Sequence, residues 1–188
     1  GIRVIVTDQL DLVPATEAMV RAALLGRPAL ATALGAVVPE SWPPEFMNDD
    51  ALVFTLDRLT EGPAQAGWWL HFVVLRQGGD ERTLIGSGGY AGPPSTDGTV
   101  EVGYAIVAEY QRKGYASEAV RSLLRHAFAL PGVHRVIAET MPALTPSIGV
   151  LRRCGFQPDG DGSAPGVIRF TLSRTMYSTN AAEQQLSK

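Results

Sequence analysis

Cysteine is almost missing from this 188-residue chain, which has only Cys154. One thiol forms no internal disulfide and no thiolate metal cluster. The three histidines, His71, His126 and His134, are scattered without ligand spacing, so metal chemistry has no support in the sequence. An excess of positive charge is missing too. Sixteen Lys+Arg against nineteen Asp+Glu give a formal net charge of -3, which leaves no basic footprint for nucleic acid. No apolar run approaches the ~20 residues a membrane helix needs, and Gly1 to Leu10 has no long apolar core behind a basic segment. These absences point to a soluble, cytoplasmic protein with no metal and no nucleic-acid or membrane partner.

What is present can fold. At 45% hydrophobic and 19% charged residues, the chain has enough apolar surface for a core, in a length suited to one domain. The expected organisation is a single domain over residues 1–177 and a polar, frayed tail over 178–188.

Leu10 to Pro14 reads as a strand and Ala15 to Leu25 as a helix ended by Gly26. Arg27 to Glu40, interrupted by Pro28, Gly35 and Pro39, reads as a loop or broken helix, and Ser41-Trp42-Pro43-Pro44-Glu45 as irregular. Asp49 or Asp50 is placed to cap a helix carrying Leu52, Val53, Leu56 and Leu59, stopped by Gly62-Pro63. Three strands follow directly, Trp68 to Arg76, Thr83 to Tyr90 and Thr99 to Val107, joined by Gly-rich turns. Ala116, Val120, Leu123, Leu124, Ala127 and Phe128 mark the apolar face of a long helix. A strand over His134 to Glu139, a helix from Thr145-Pro146 to Gly155 and a last strand over Val167 to Leu172 complete the pattern. Adjacent strands first, then strand–helix–strand–helix–strand, give a mixed α/β chain of the α+β class, its sheet part parallel and part antiparallel.

Chemistry concentrates where the third strand runs through Gln111-Arg112-Lys113-Gly114 into the long helix. Amides at a helix N-terminus lack internal partners and carry about half a positive charge, Gly114 lets backbone approach a ligand, and Arg112 and Lys113 add formal charge. A diphosphate suits such a turn; so, on charge pattern alone, does plain solvation. Gly86-Ser87-Gly88-Gly89 lacks the following helix of a dinucleotide fingerprint and reads as a bulge or close backbone approach.

As Gln-x-x-Gly-x-Ala after Glu101-Val-Gly-Tyr-Ala-Ile106, the turn resembles the acetyl-coenzyme A pyrophosphate loop of the GNAT N-acetyltransferase superfamily. Ala138-Glu139-Thr140-Met141-Pro142 and then Ser147 to Gly155-Phe156 resemble that family's next strand and helix. With Leu10-Asp-Leu-Val-Pro14 the likeness covers nearly the whole chain, and it is nearest to the branch holding the ribosomal-protein N-terminal acetyltransferases. It implies a mixed sheet of about six or seven strands, flanked by helices and splayed at the acetyl-CoA site. Gln111, Arg112, Lys113, Gly114, Tyr115 and Ala116 would hold the diphosphate, and peptide groups of Ile106, Val107 and Ala108 would pair with the pantetheine arm. The implied reaction is direct attack of a primary amine, on a protein N-terminus or a small molecule, upon the thioester.

An attacking amine must be neutral, so a carboxylate near the reacting centre is expected to take its proton. Glu139 comes first by its interval to Ser147 in related enzymes, and Glu101 second; a surface carboxylate and an ion-pair partner are their respective plain alternatives. Ser147 fits a helix-capping hydroxyl and, by resemblance, a place near the coenzyme sulfur. Two positions depart from the family: Leu144 stands where Asn is frequent and Leu151 where many members have Tyr. Either Ser147, Tyr104 or water then serves as the acid, or the thiolate leaves without one, since thiols have pKa values near ~8.5. Those departures also admit a non-catalytic acyl-CoA sensor or partner-binding module on the same fold. Cys154 reads as a small packed hydrophobe. Of Trp68 and Trp69 one faces the core and the other an acceptor pocket or a second copy in a homodimer, while Trp42 is the better acceptor-site candidate.

Overall fold

A computed structural model describes residues 3–186. Its strands are β1 (Ile5–Val6), β2 (Leu10–Pro14), β3 (Leu70–Arg76), β4 (Arg82–Tyr90), β5 (Thr99–Ile106), β6 (Arg135–Thr140), β7 (Gln157–Asp161) and β8 (Ile168–Ser173). They form one sheet in the order β1-β2-β3-β4-β5-β6-β8-β7. Helices α1 (Glu17–Leu25), α2 (Arg27–Leu34) and α3 (Asp49–Leu59) lie between β2 and β3, α4 (Tyr115–Phe128) between β5 and β6, and α5 (Thr145–Arg153) after β6. Helix α6 (Arg174–Leu186) follows β8.

The α+β class and the mixed sheet agree with expectation; the strand count is eight among the described residues rather than six or seven. The unforeseen strands lack a period-two apolar signal, since β1 has two residues and β7, Gln-Pro-Asp-Gly-Asp, is exposed throughout. Of the loop and the broken helix open for Arg27 to Glu40, the first part is helix α2: Pro28 sits in its first turn, where a missing N–H costs nothing, and Gly35 closes it at φ +59°. The cap of α3 is Asn48, whose side chain accepts from the Ala51 amide, while Asp49 and Asp50 occupy the first turn and favour the helix dipole. Beyond Ser178 the expected frayed stretch is helical to Leu186, though residues 181–186 are all exposed. Its start is held by Arg174, which donates to the carbonyls of Phe128, Leu130 and Val133.

Strand β3 is buried on both faces, and its alternate residues feed two cores. Val73 and Leu75 pack with Val120, Leu123 and Leu124 of α4 and Leu151 of α5, whereas Phe72 and Val74 pack with Val20, Leu30 and Leu52 of α1–α3. Thus α4 and α5 cover one face and α1–α3 the other. The glycine cluster does make a bulge: Val73 pairs Gly86 and Val74 pairs Leu84, leaving Ile85 extra. A Cβ at Gly86 would lie 2.4 Å from the Ala105 carbonyl oxygen, so this position sets how closely β4 and β5 approach.

The parallel pair β5–β6 is joined only over Thr99–Glu101 with Arg135–Ile137. Beyond these residues both strands continue without pairing to each other, so the sheet opens as the splayed gap that the family resemblance implied.

His71 on β3 is 1% exposed, its Nδ1 3.2 Å from the Trp69 carbonyl and its ring edge-on to Tyr90. Burial pulls its pKa down to about 4 from 6.5. The unfolded chain therefore takes up the proton first on acidification, and stability falls as pH drops from about 6.5 towards 4, by at most about 3 kcal/mol. Urea midpoints should decline across that window in the wild type and decline less in His71→Gln; equal slopes would assign the acid sensitivity elsewhere.

Candidate active site

Strand β5 ends at Ile106, makes a 3-10 turn at Ala108–Tyr110, and enters α4 through Gln111–Gly114. Gln111 folds back, its Nε2 donating to the Ile106 carbonyl at 2.8 Å. Arg112 at φ +63° and Gly114 at φ +86° are both left-handed, an unusual state for an arginine and one that turns successive amides to one side. Gly114 is the N-cap of α4 and supplies no side-chain cap, so the first-turn amides have no side chain upon them. A Cβ on Gly114 would meet nothing within 4 Å, because the residue borders open space. Lys113 leans over the Tyr110 ring at 5.9 Å.

That space is a cavity of about 1070 Å³ bounded by the end of β5, the starts of α4 and α5, and the α2–α3 loop. Of the residues expected at a coenzyme site, Ile106, Val107, Ala108, Gln111, Arg112, Gly114, Tyr115, Ala116 and Ser147 line it, and Lys113 does not. The Val107 amide donates to the Ile85 carbonyl at 2.9 Å, so it is taken by β4 and is not the amide that faces the gap. Because neighbouring residues of an antiparallel strand point their peptide groups to opposite sides, those of Ile106 face the opening towards β6.

Tyr104 reaches the start of α5. Its hydroxyl donates to the Ser147 carbonyl at 3.0 Å and lies 3.2 Å from Ser147 Oγ, which also accepts from Thr140 Oγ1 at 3.1 Å. The result is a hydroxyl cluster drawn from β5, β6 and α5 and bordering the cavity. Burial pushes the Tyr104 phenol up to about 12. Leu151 is 1% exposed in the core, so a phenol reaches this place from β5 instead of from α5.

The two carboxylates lie elsewhere. Val100, Val102, Val136 and Ala138 face the α4 core, so Glu101 and Glu139, which alternate with them, face the other side of the sheet where β5–β6 pairing ends. Neither lines the cavity. Glu139 is held by Ser163, whose amide donates to Oε1 at 2.8 Å and whose hydroxyl donates to Oε2 at 2.7 Å. Glu101 has its pKa raised by burial first and by the Glu139 charge second. Trp42, expected to face an acceptor, is buried against Phe72, and it is its neighbours Ser41 and Pro43–Phe46 that line the cavity. Cys154 is packed in the core, its thiol pKa pushed up by burial. Trp68 packs against Tyr90 and Trp69 against Phe54, on the two sides expected of adjacent strand residues.

Sequence reading missed Thr140, Arg153, Glu45 and Phe46. Arg153 lines the cavity with its guanidinium lying back over Gly149, where a Cβ would come within 3.2 Å of it; a basic residue in the last turn of a helix announces nothing of the kind. Among the described residues no group of three or more His, Cys, Asp and Glu is placed to hold a metal, and no helix is long and apolar enough to cross a membrane.

The splayed gap and the helix N-terminus open into one continuous cavity. The acetyltransferase (GNAT) domain family matches residues 10–157, and the chain belongs to that family. Two curated relatives are the uncharacterized N-acetyltransferase YnaD of Bacillus subtilis, 39% identical over 62 residues, and the uncharacterized N-acetyltransferase p20 of Bacillus licheniformis, 34% identical over 89. These matches cover 33% and 47% of this chain and 36% and 49% of the relatives, so the chain spans between a third and a half of their length. Among solved structures, the RimL ribosomal L7/L12 alpha-N-protein acetyltransferase in complex with coenzyme A superposes with a TM-score of 0.63 at 16% identity. That match covers 91% of this chain and 98% of the other, a likeness of fold.

Proposed function

We propose that this protein is an acetyl-CoA-dependent N-acetyltransferase that moves an acetyl group to a primary amine in a ternary complex, without an acyl-enzyme. The observation that carries this reading is the continuity of one cavity from the gap beside Ile106 to the uncapped start of α4. The donors fit the coenzyme: first-turn amides of α4 with Arg112 for the diphosphate, and the Ile106 peptide for the pantetheine arm. Arg153 adds a second cation for the phosphates.

In the reaction the amine nitrogen bonds to the thioester carbon, the carbon–sulfur bond breaks with its electron pair going to sulfur, and the amine loses one proton. Glu101, at the end of the β5–β6 pairing, and Glu139 on β6 are the carboxylates on the two splayed strands, and a water from their side of the sheet is the route by which that proton leaves. Glu101, with its raised pKa, is the better placed to hold a proton. Tyr104, held beside Ser147 at the cavity wall, is the hydroxyl offered to the leaving sulfur. A cytoplasmic location belongs to this reading, in keeping with a lone reduced thiol.

Amine-dependent release of thiol from acetyl-CoA, with no thiol release in the absence of amine, tests the reading. Coenzyme binding without release for every amine offered would make the protein a sensor and not a transferase.

A further inference from the structure

The cavity extends past the coenzyme donors to a rim that the transferase reading leaves unused. This rim is the tip of the α2–α3 loop, which arrives from the face of the sheet opposite α4 and α5. The loop is fixed at its base. Trp42 is 5% exposed against Phe72, and Arg27 donates to the carbonyls of Trp42 at 3.0 Å and Glu40 at 2.7 Å. Ser41 donates to Glu109 at 2.6 Å, and Asn48 caps α3 immediately after it.

Between these anchors Pro43, Pro44, Glu45 and Phe46 line the cavity. Glu45 is its only lining carboxylate among the described residues, set against the cations Arg112 and Arg153, and it has no hydrogen bond or ion pair of its own. Phe46 is 68% exposed and sits at φ +69°, in the left-handed region that an aromatic residue rarely adopts. A large apolar ring held in a strained backbone at a cavity mouth, on a loop tied down at both sides, is a preorganised contact awaiting a ligand. The volume of about 1070 Å³ lies just above the ~300–1,000 Å³ of pockets that take one small ligand, which leaves room for a second reactant beside the coenzyme.

We propose that Glu45 and Phe46 select the acceptor: a cationic amine bearing an apolar or aromatic group close to its nitrogen. Glu45 attracts the ammonium form on entry and repels acidic acceptors, and Phe46 packs on the apolar group. The inference rests on the transferase reading and names its substrate class. An arylalkylamine and a peptide with an aromatic first residue share this chemistry, and assays with 2-phenylethylamine and with a Phe-initiated tetrapeptide tell the two sources apart.

The test is steady-state thiol release by the full chain with 2-phenylethylamine, the tetrapeptide, propylamine and aspartate. The wild type should favour one of the aromatic acceptors over propylamine, with aspartate poorest. Glu45→Gln should raise KM for the cationic acceptors about three- to tenfold, less so in high salt, and change kcat little. Phe46→Ala should raise KM for the aromatic acceptor several-fold more than for propylamine. Phe46→Gly, which relaxes the left-handed backbone, should share that loss, and calorimetric affinity for acetyl-CoA shows that each variant is folded. KM values within twofold of wild type in both Glu45→Gln and Phe46→Ala, or a wild-type preference for aspartate, would overturn the assignment while leaving the transferase standing. Coenzyme binding with no release for any amine would instead overturn the transferase reading, and this inference with it.

Discussion

Gly114→Glu should abolish acetyl-CoA binding while leaving the protein folded. At φ +86° an L-residue is strained by roughly 1–2 kcal/mol, and no side chain blocks the new Cβ, so the domain survives the change. The added carboxylate then sits at the N-cap of α4. There it places a negative charge where the coenzyme diphosphate must bind. The attraction of that charge to the helix N-terminus offsets part of the strain, so the thermal midpoint moves little. Affinity should fall at least on the order of 100-fold, about 3 kcal/mol. Gly114→Ala separates the two effects, since strain without charge should cost less than about tenfold. Affinity within a few-fold of wild type in Gly114→Glu would remove the loop from the coenzyme site.

Tyr104→Phe should lower kcat by on the order of ten- to a hundredfold with little change in the KM for acetyl-CoA. The magnitudes say how the phenol acts. A group pushed up to about 12 does not pass its proton to a thiolate whose conjugate acid is near ~8.5, because the transfer is uphill by several pH units. It serves by turning its one hydroxyl proton from the Ser147 carbonyl to the charge that develops on sulfur, an effect whose loss is felt in kcat. Ser147→Ala, which frees the phenol from one of its two partners and keeps the donor, should cost less. The pH–rate profile should show no loss of activity below about pH 10 that belongs to Tyr104. An unchanged kcat in Tyr104→Phe would exclude the phenol, and a new alkaline limb would recast it as a true acid.

The parts of this molecule that were legible in its sequence are those where local chemistry repeats. The α4 face from Ala116 to Phe128 could be read from periodicity, the doubly buried β3 run from its aromatic and β-branched content, and the turn at Gly114 from a strand that runs through a glycine into a helix. Strand β7 could not, since Gln157–Asp161 is polar on both sides and exists through its pairing with β8. The α2–α3 loop was opaque for a related reason. Its placement depends on Trp42 reaching Phe72 and on Arg27 reaching back to Trp42 and Glu40, and long-range contacts of that sort leave no spacing to count.

The carboxylates show the same limit from the other side. Alternation along β5 does place Glu101 opposite Tyr104. Only the antiparallel partner β8 and the Ser163 loop reveal that Glu139 is already hydrogen-bonded through both oxygens. Nothing near Leu151 in the sequence indicates that Tyr104 reaches Ser147 from 43 residues away.

The most direct test of the account is calorimetric titration of the full chain with acetyl-CoA at two salt concentrations. One molecule should bind per chain, more weakly at the higher salt because Arg112, Arg153 and the α4 amides meet phosphate charge. An absence of binding at either salt, by a protein shown to be folded, would contradict the assignment of the cavity to the coenzyme.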